Sequence, residues 1–212
     1  MTPETDRRLE RDGWSTVELP DAADLRVVAT WLRPDLERSR IEIERVSPKR
    51  RQEARPGTMS ALYGLGPFPL HTERAHWPRP PRYVVFRSVG ARTVRPTTLL
   101  DSNRLAADPE LIRRLHDVPW RVAWDGAAFE ARVLTAGPRS QWRIRYDRCC
   151  MTVSDPALQG ELEEALDRLP LERHQWKPDT ALVIDNWRVL HGRGGMGETP
   201  DDGRVLERVV VP

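Results

Sequence analysis

Short apolar segments separated by turn-forming residues constrain the fold of this chain more than any other feature. Its 212 residues include 19 prolines and 13 glycines, which interrupt the sequence throughout. Proline removes a backbone donor and glycine permits turn conformations, so this pattern favours short strands over long helices. The sequence therefore predicts a mainly β fold, rich in turns, with a few flanking helices.

Helical periodicity is confined to three segments, and Asp108 and Asp155 are in position to cap the last two. The predicted helices cover residues 22–32, 109–116 and 156–169. The predicted strands cover residues 15–19, 40–46, 82–88, 97–100, 129–134, 142–146, 181–184, 189–191 and 204–211. Many short strands with glycine and proline turns suggest a sandwich or barrel of the jelly-roll type.

The length and composition suit one domain, residues 1–212, because 39% hydrophobic content is ordinary for a globular core. No run of 18 apolar residues could span a bilayer. The amino terminus, Met1 to Asp12, is charged and lacks the apolar region of a secretory signal. We therefore expect a cytoplasmic protein without a membrane segment.

The charge and cysteine content narrow the function further. The chain carries 34 basic and 32 acidic residues, a formal charge of only +2, which argues against a dedicated nucleic-acid binder. Cys149 and Cys150 are adjacent and cannot link distant parts of a fold. They indicate a reducing compartment, and we expect them to be small core side chains rather than metal ligands.

A first candidate for chemistry is His71-Thr72-Glu73, which follows a loop rich in glycine and proline. In extended backbone, side chains at positions i and i+2 emerge on the same face, so His71 and Glu73 could both reach one metal ion. Taken alone this spacing is weak, because it also occurs often on solvated strands. A third ligand must come from elsewhere in the chain.

A second candidate is His191, at the end of an apolar hairpin. Residues 181–184 form the first predicted strand, Asp185 and Asn186 form the turn, and the second strand ends at His191. A single histidine at the rim of a strand is more often a surface or core residue than a ligand. Its interpretation depends on what lies beside it.

The third candidate is the closing strand. Alternation places Arg204, Leu206, Arg208 and Val210 on one face. Two arginines on an otherwise apolar face indicate a buried anionic ligand, or else an edge strand whose arginines reach solvent or neighbouring acids.

Together the three segments resemble the taurine dioxygenase and clavaminate synthase-like group of iron- and 2-oxoglutarate-dependent oxygenases. The resemblance extends from about residue 60 to residue 212. The motifs that carry it are Gly-x-Gly-Pro-Phe-Pro-Leu-His-Thr-Glu, Asp-Asn-Trp-Arg-Val-Leu-His-Gly-Arg and Arg-Val-Leu-Glu-Arg-Val-Val-Val.

The resemblance implies a double-stranded β-helix, also called a jelly roll, with Fe(II) held by His71, Glu73 and His191. Two histidines and one carboxylate form the facial triad of non-haem iron oxygenases, which leaves positions open for cosubstrate and dioxygen. At position 73 this chain has glutamate, whereas most of the family has aspartate. Glutamate also occurs in the clavaminate synthase branch.

By the same resemblance, Arg208 pairs with the distal carboxylate of 2-oxoglutarate and Arg204 assists it. Thr98 supplies a hydroxyl to the same carboxylate, although the adjacent Thr97 is an alternative. The implied reaction is the oxidation, most often hydroxylation, of a small polar metabolite by dioxygen, with release of succinate and CO2. Such a reaction fits a biosynthetic pathway.

Two other functions are compatible with these motifs. One is a catalytically silent jelly-roll protein that binds a metal or ligand, and the other is a cupin-type hydrolase or isomerase that uses zinc or manganese. Arg143, Arg145 and Arg193 could contact an acidic group on the substrate, although arginines near strand ends are more often structural.

Overall fold

The computed structural model describes residues 2–19, 24–89, 95–137, 141–194 and 204–212. The α-helices are α1 (Pro3–Asp12), α2 (Leu25–Leu32), α3 (Met59–Tyr63), α4 (Pro109–Asp117) and α5 (Pro156–Arg168). Short 3₁₀ helices cover Arg38–Arg40, Arg51–Glu53 and Ser102–Ala107. The strands are β1 (Trp14–Glu18), β2 (Glu44–Val46), β3 (Phe68–His71), β4 (Tyr83–Ser88), β5 (Thr97–Asp101), β6 (Trp120–Trp124), β7 (Ala127–Ala131), β8 (Leu134–Ala136), β9 (Trp142–Ile144), β10 (Met151–Thr152), β11 (Glu172–His174), β12 (Thr180–Asp185), β13 (Val189–Arg193) and β14 (Leu206–Val211).

Two antiparallel sheets form the centre of the fold. Sheet A has the strand order β1-β12-β4-β14-β2, and sheet B has the order β11-β5-β13-β3. Two smaller sheets have the strand orders β10-β6-β7 and β8-β9. The predicted class, mainly β with a few helices, is therefore confirmed.

The space between sheets A and B is filled by one apolar cluster. Phe86 and Ile184 enter it from sheet A, and Leu99 and Val189 enter it from sheet B. Burial of each such side chain stabilises the fold by about 2 kcal/mol. Since neighbouring side chains on a strand point to opposite faces, each sheet also has an outer face that needs a cover.

Helices supply these covers. On sheet A, Val28 and Ala29 of α2 pack with the strand residue Val85. On sheet B, the side of α5 that carries Leu158 and Leu162 belongs to the same cluster as the strand residue Leu190. Three apolar clusters, one between the sheets and one under each helical cover, thus bury both faces of the two central sheets.

The differences between predicted and observed elements have local causes. Helix α2 begins at Leu25 because the Asp24 side chain caps it, and residues 22 and 23 of the predicted helix lie outside the described part of the chain. The predicted strand 129–134 is divided between β7 and β8. Helix α1 was not predicted, although Thr2 caps it and Pro3 occupies its first position. Most residues of α1 are charged, so its short apolar stripe does not stand out in the sequence.

The β12–β13 hairpin turns where the sequence predicts, and its turn also holds a distant segment. Asn186 is fully buried. Its side-chain oxygen accepts a hydrogen bond from the Glu73 backbone N–H at 2.8 Å, and its amide nitrogen donates to the carbonyls of Glu73 and Pro81 at 3.1 and 2.9 Å. A single amide therefore ties the Glu73 backbone to the hairpin.

Among the described residues, no helix is both long and apolar enough to cross a lipid bilayer.

We predict that Asn186→Ala lowers the free energy of unfolding by about 3 kcal/mol, because it leaves buried backbone groups of Glu73 and Pro81 without partners. Urea denaturation followed by circular dichroism measures the change. The control is Gln52→Ala at an exposed position, which should stay within about 0.5 kcal/mol of the parent. Equal stability of the two variants would contradict the prediction.

Candidate active site

Antiparallel pairing of β13 with β3 brings two predicted site residues together. His191 lies directly opposite His71 in the ladder, and their ring centroids are 4.5 Å apart. Gly192 permits this close approach, because a Cβ at that position would lie 2.7 Å from the carbonyl oxygen of Phe68. The two histidines, 120 positions apart in the sequence, thus become neighbours through one strand pair.

Glu73 joins them by a route that differs from the prediction. Strand β3 ends at His71, and Glu73 begins a turn instead of continuing the extended backbone. The hydrogen bonds of Asn186 hold this turn in place. As a result, Oε2 of Glu73 lies 3.7 Å from Nε2 of His191.

The three side chains have the arrangement that a metal ion requires. One ligand atom from each of His71, Glu73 and His191 lies within 4.8 Å of the others. Ligand atoms on one face of an ion, each about 2.1 Å from it, lie about 3 Å from one another, so the three side chains need to draw together by up to about 2 Å to bind it. The residues present therefore fit a bound divalent metal.

The protonation of the histidines also suits metal binding. Nδ1 of His71 lies 3.0 Å from the carbonyl oxygen of Pro69, which can only accept, so the ring proton sits on Nδ1 and Nε2 keeps its lone pair. Burial and the neighbouring His71 lower the pKa of His191 to about 4. His71 can thus offer Nε2, and His191 a neutral imidazole, to a metal ion.

Glu73 is ionised for a different reason. Burial opposes its charge, but Arg208 and His191 outweigh burial and hold the pKa of Glu73 well below its usual range. Nη1 of Arg208 lies 2.9 Å from Oε1 of Glu73. One carboxylate oxygen therefore faces the arginine while the other faces the histidines.

The three residues lie on the wall of a cavity of about 290 Å³ at one end of the space between sheets A and B. The Phe86 ring, from the inner face of sheet A, is 5.6 Å from that of His191. The remaining wall combines polar and apolar side chains, among them Arg74, Asp147, His76, Trp124, Met59 and Cys149. The cavity can accept a small molecule directly beside the three ligands.

Arg204 and Arg208 both line this cavity, as their shared face on the closing strand predicts, but their partners differ. Nη2 of Arg204 donates to Oγ1 of Thr97 at 3.1 Å. Arg208 contacts two carboxylates, Glu73 through Nη1 and Glu44 through Nε and Nη2. Glu44 belongs to strand β2, and nothing in its sequence context indicated this contact.

Thr98 does not stand where the sequence analysis placed it. Thr97 lines the cavity, whereas the hydroxyl of Thr98 lies on the opposite face of β5, where a Cβ on Gly192 would approach it to 2.9 Å. The physical reason is the alternation of side chains along a strand, which allows only one of two adjacent threonines to face the cavity. Thr97, the alternative noted from sequence, occupies that position.

The other three arginines have structural contacts. Arg193 lines the cavity but donates to the backbone carbonyls of Gly64 and Gly66, and its guanidinium stacks on Phe68. Arg145 donates to the carbonyl of Pro78. The guanidinium of Arg143 lies over the ring of Trp187 at 4.5 Å. These last two are absent from the described lining of the cavity.

Comparison with known proteins supports the resemblance that the motifs suggest. A family model described as "Taurine catabolism dioxygenase TauD, TfdA family" matches residues 153–210. The resemblance to the taurine dioxygenase family is confirmed. The matched TauD-like segment includes His191, Arg204 and Arg208. A search of curated protein sequences finds no significant match.

Several solved structures have a similar fold. The non-haem iron oxygenase OrfP, in complex with Fe and alpha-ketoglutaric acid, is 17% identical with a TM-score of 0.69 over 98% of this chain and 78% of OrfP. PvcB from Pseudomonas aeruginosa is 18% identical, with a TM-score of 0.68 over 97% of this chain and 78% of PvcB. Asparagine oxygenase (AsnO) is 21% identical, with a TM-score of 0.62 over 80% of this chain and 55% of its own.

His174 lies near Arg204 and is a buried titratable side chain that is not one of the three candidate metal ligands. On β11 it pairs with Thr97 of β5, and its ring packs edge-on against Trp14 and Trp176. It is only 6% exposed. Burial, together with the nearby cations Arg8, Lys177 and Arg204, lowers the pKa of His174 to about 4.

We predict that the free energy of unfolding falls as the pH drops from about 6.5 to about 4, by up to about 3 kcal/mol from His174 alone. The unfolded chain binds a proton at about pH 6.5, whereas the folded chain resists it until about pH 4. Urea unfolding of the parent and of His174→Gln across this range measures the effect. The variant should show a flatter pH dependence, and parallel curves would contradict the prediction.

Proposed function

We propose that this protein is a non-haem Fe(II)- and 2-oxoglutarate-dependent oxygenase that hydroxylates a small polar metabolite. The observation that carries the proposal is the convergence of His71, Glu73 and His191 on one point of a cavity that Arg204 also lines. A cupin-type hydrolase or isomerase would need the three ligands but not an arginine beside them for a dicarboxylic cosubstrate. The TauD family match over residues 153–210 supports the same enzyme class.

The proposed architecture is a double-stranded β-helix made of sheets A and B within one domain, residues 1–212. Two facing antiparallel sheets with a ligand site between their ends are typical of jelly rolls. The similarity of fold to OrfP over 98% of this chain supports the proposal.

In the proposed site, Nε2 of His71, Oε2 of Glu73 and a ring nitrogen of His191 would hold Fe(II). Bound iron would supply the activation of dioxygen, coupled to decarboxylation of 2-oxoglutarate to succinate and CO2. The chain's own task is to orient the substrate and exclude bulk water. Phe86 and the apolar cluster behind it close the inner end of the cavity against water.

For the distal carboxylate of 2-oxoglutarate we propose Arg204 and Thr97, which changes the assignment made from sequence. Arg204 and Thr97 are in contact on the cavity wall and can together present a guanidinium and a hydroxyl to one carboxylate. Arg208 already contacts Glu73 and Glu44, so binding a cosubstrate there would require breaking two ion pairs.

The proposed substrate is a small polar molecule of the amino acid type. OrfP structures contain hydroxylated arginines, and an asparagine oxygenase structure contains 3-hydroxyasparagine. The cavity of about 290 Å³ in this chain presents both Arg74 and Asp147, which suits a small molecule with charges of both signs. A panel of polar amino acids, assayed for the succinate formation that each one stimulates, identifies the class.

We predict that anaerobic titration of the Fe(II)-loaded protein with 2-oxoglutarate produces a weak visible charge-transfer band, because bidentate chelation of iron by the keto acid gives such a band. His71→Ala removes one ligand and should abolish it, while His116→Ala, far from the three ligands in a contact with Leu134, should retain it.

Other outcomes of this titration identify the alternatives. Bound iron without the band would favour a cupin-type hydrolase or isomerase. A band without succinate formation for any substrate would favour a catalytically silent binding protein.

The adjacent threonines give a matched test of the cosubstrate site. We predict that Thr97→Val raises the dissociation constant for 2-oxoglutarate about tenfold, the loss of roughly one hydrogen bond to a charged group. Thr98→Val should change it less than about twofold, because its side chain faces away from the cavity. Arg204→Met should weaken binding by about 100-fold or more. An effect from Thr98→Val alone would restore the assignment made from sequence.

A further inference from the structure

An alternating series of charges connects the proposed metal ligand Glu73 with Arg208, Glu44 and Arg74. Arg74 contacts both carboxylate oxygens of Glu44, at 2.6 and 2.8 Å, and Glu44 in turn contacts Arg208. Arg208 then contacts Oε1 of Glu73 at 2.9 Å. Side-chain exposure is 12% for Glu73 and 15% for Arg208, whereas Glu44 and Arg74 are more exposed, at 29% and 25%.

The two partners of Arg208 determine which oxygen of Glu73 faces the histidines. Glu44 takes Nε and Nη2 of Arg208, which leaves only Nη1 for Glu73. Glu73 is therefore held through one oxygen, Oε1, and its second oxygen stays directed at the histidines. A guanidinium without another partner would form a two-pronged pair with both oxygens of a carboxylate.

Arg74 gives a second, independent observation. Its backbone has φ of 57°, a left-handed conformation that is unfavourable for a residue with a side chain. Its guanidinium lies over the ring of Trp77 at 5.3 Å while it contacts Glu44. Because Arg74 directly follows Glu73, the strained turn that presents the carboxylate also presents the partner of Glu44.

We propose that Glu44 is a positioning residue for the metal site: by occupying two of the three guanidinium nitrogens of Arg208, it keeps Arg208 from chelating Glu73 and leaves Oε2 of Glu73 available to the metal. The inference rests on the proposed function only in taking Glu73 as a metal ligand. Glu44 itself has no contact with the metal.

The charge of Glu44 affects metal binding through the contacts of Arg208. Without the Glu44 carboxylate, Nε and Nη2 of Arg208 lose their partner and can swing onto Glu73. Arg208 and the metal would then compete for the same oxygen. Groups that orient metal ligands in this way typically change metal affinity 10- to 100-fold when they are removed.

The test compares Glu44→Gln with Glu42→Gln. Both substitutions remove one negative charge and keep the side-chain shape, but Glu42 is exposed and two positions away on the same segment. The dissociation constant for Co(II), used as a spectroscopic substitute for Fe(II), is measured from its visible absorption in the full-length protein. In metal-saturated protein, the dissociation constant for 2-oxoglutarate is measured as well.

We expect Glu44→Gln to weaken Co(II) binding at least about tenfold and to alter the Co(II) absorption spectrum. Glu42→Gln should match the parent in both, and 2-oxoglutarate affinity should change less than about twofold in either variant. A Glu44→Gln variant with parental Co(II) affinity and spectrum would overturn the proposal. So would a variant that loses 2-oxoglutarate affinity while keeping Co(II) affinity, because Arg208 would then serve the cosubstrate.

A second variant tests the proposal if Glu44→Gln fails to fold. If Glu44→Gln does not give a cooperative thermal transition, Glu44→Asp replaces it, because the shorter side chain keeps the charge but draws the carboxylate away from Arg208. It should weaken Co(II) binding in the same direction by about threefold, and no change would overturn the proposal. Parent protein that binds no Co(II) at all would count against the proposed function itself, whereas a parent that binds Co(II) and 2-oxoglutarate with unaffected variants would count against the role of Glu44 alone.

Discussion

The pairing of strand β13 between β3 and β5 is the constraint on which the rest of the site depends. Its register puts His191 opposite His71, and its inner face continues the apolar cluster that joins sheets A and B. Gly192 lets the neighbouring backbone approach closely. The hairpin that starts this strand also carries Asn186, which holds the backbone of Glu73. One strand thus positions all three proposed ligands.

Burial of charge is the second condition that the structure must meet. An ionised carboxylate such as Glu73 is costly inside a protein unless cations or hydrogen bonds compensate it. Arg208 provides the cation, and Glu44 limits how strongly that cation holds the carboxylate. A balance of this kind keeps the carboxylate charged while leaving one oxygen for another partner.

Much of the fold could be read from the sequence because its signals are local. Aspartate caps followed by proline mark the starts of α4 and α5, short apolar runs mark β4 and β12, and alternation marks β14. Helix α1 escaped detection because its stripe is short and its sequence is mostly charged. The site was predictable as far as its residues lie in motifs, namely the two histidines, Glu73 and the two arginines. Their pairing partners were not predictable in this way.

The sequence by itself determined the mainly β class, the candidate ligands and the face that Arg204 shares with Arg208, because each follows from periodicity or from motifs within a few residues. Only the tertiary structure decided that Thr97 rather than Thr98 faces the cavity, that Asn186 fixes Glu73, and that Glu44 contacts Arg208. The last two contacts join residues more than 100 positions apart. Contacts of that range depend on strand register and sheet packing, which no local pattern specifies.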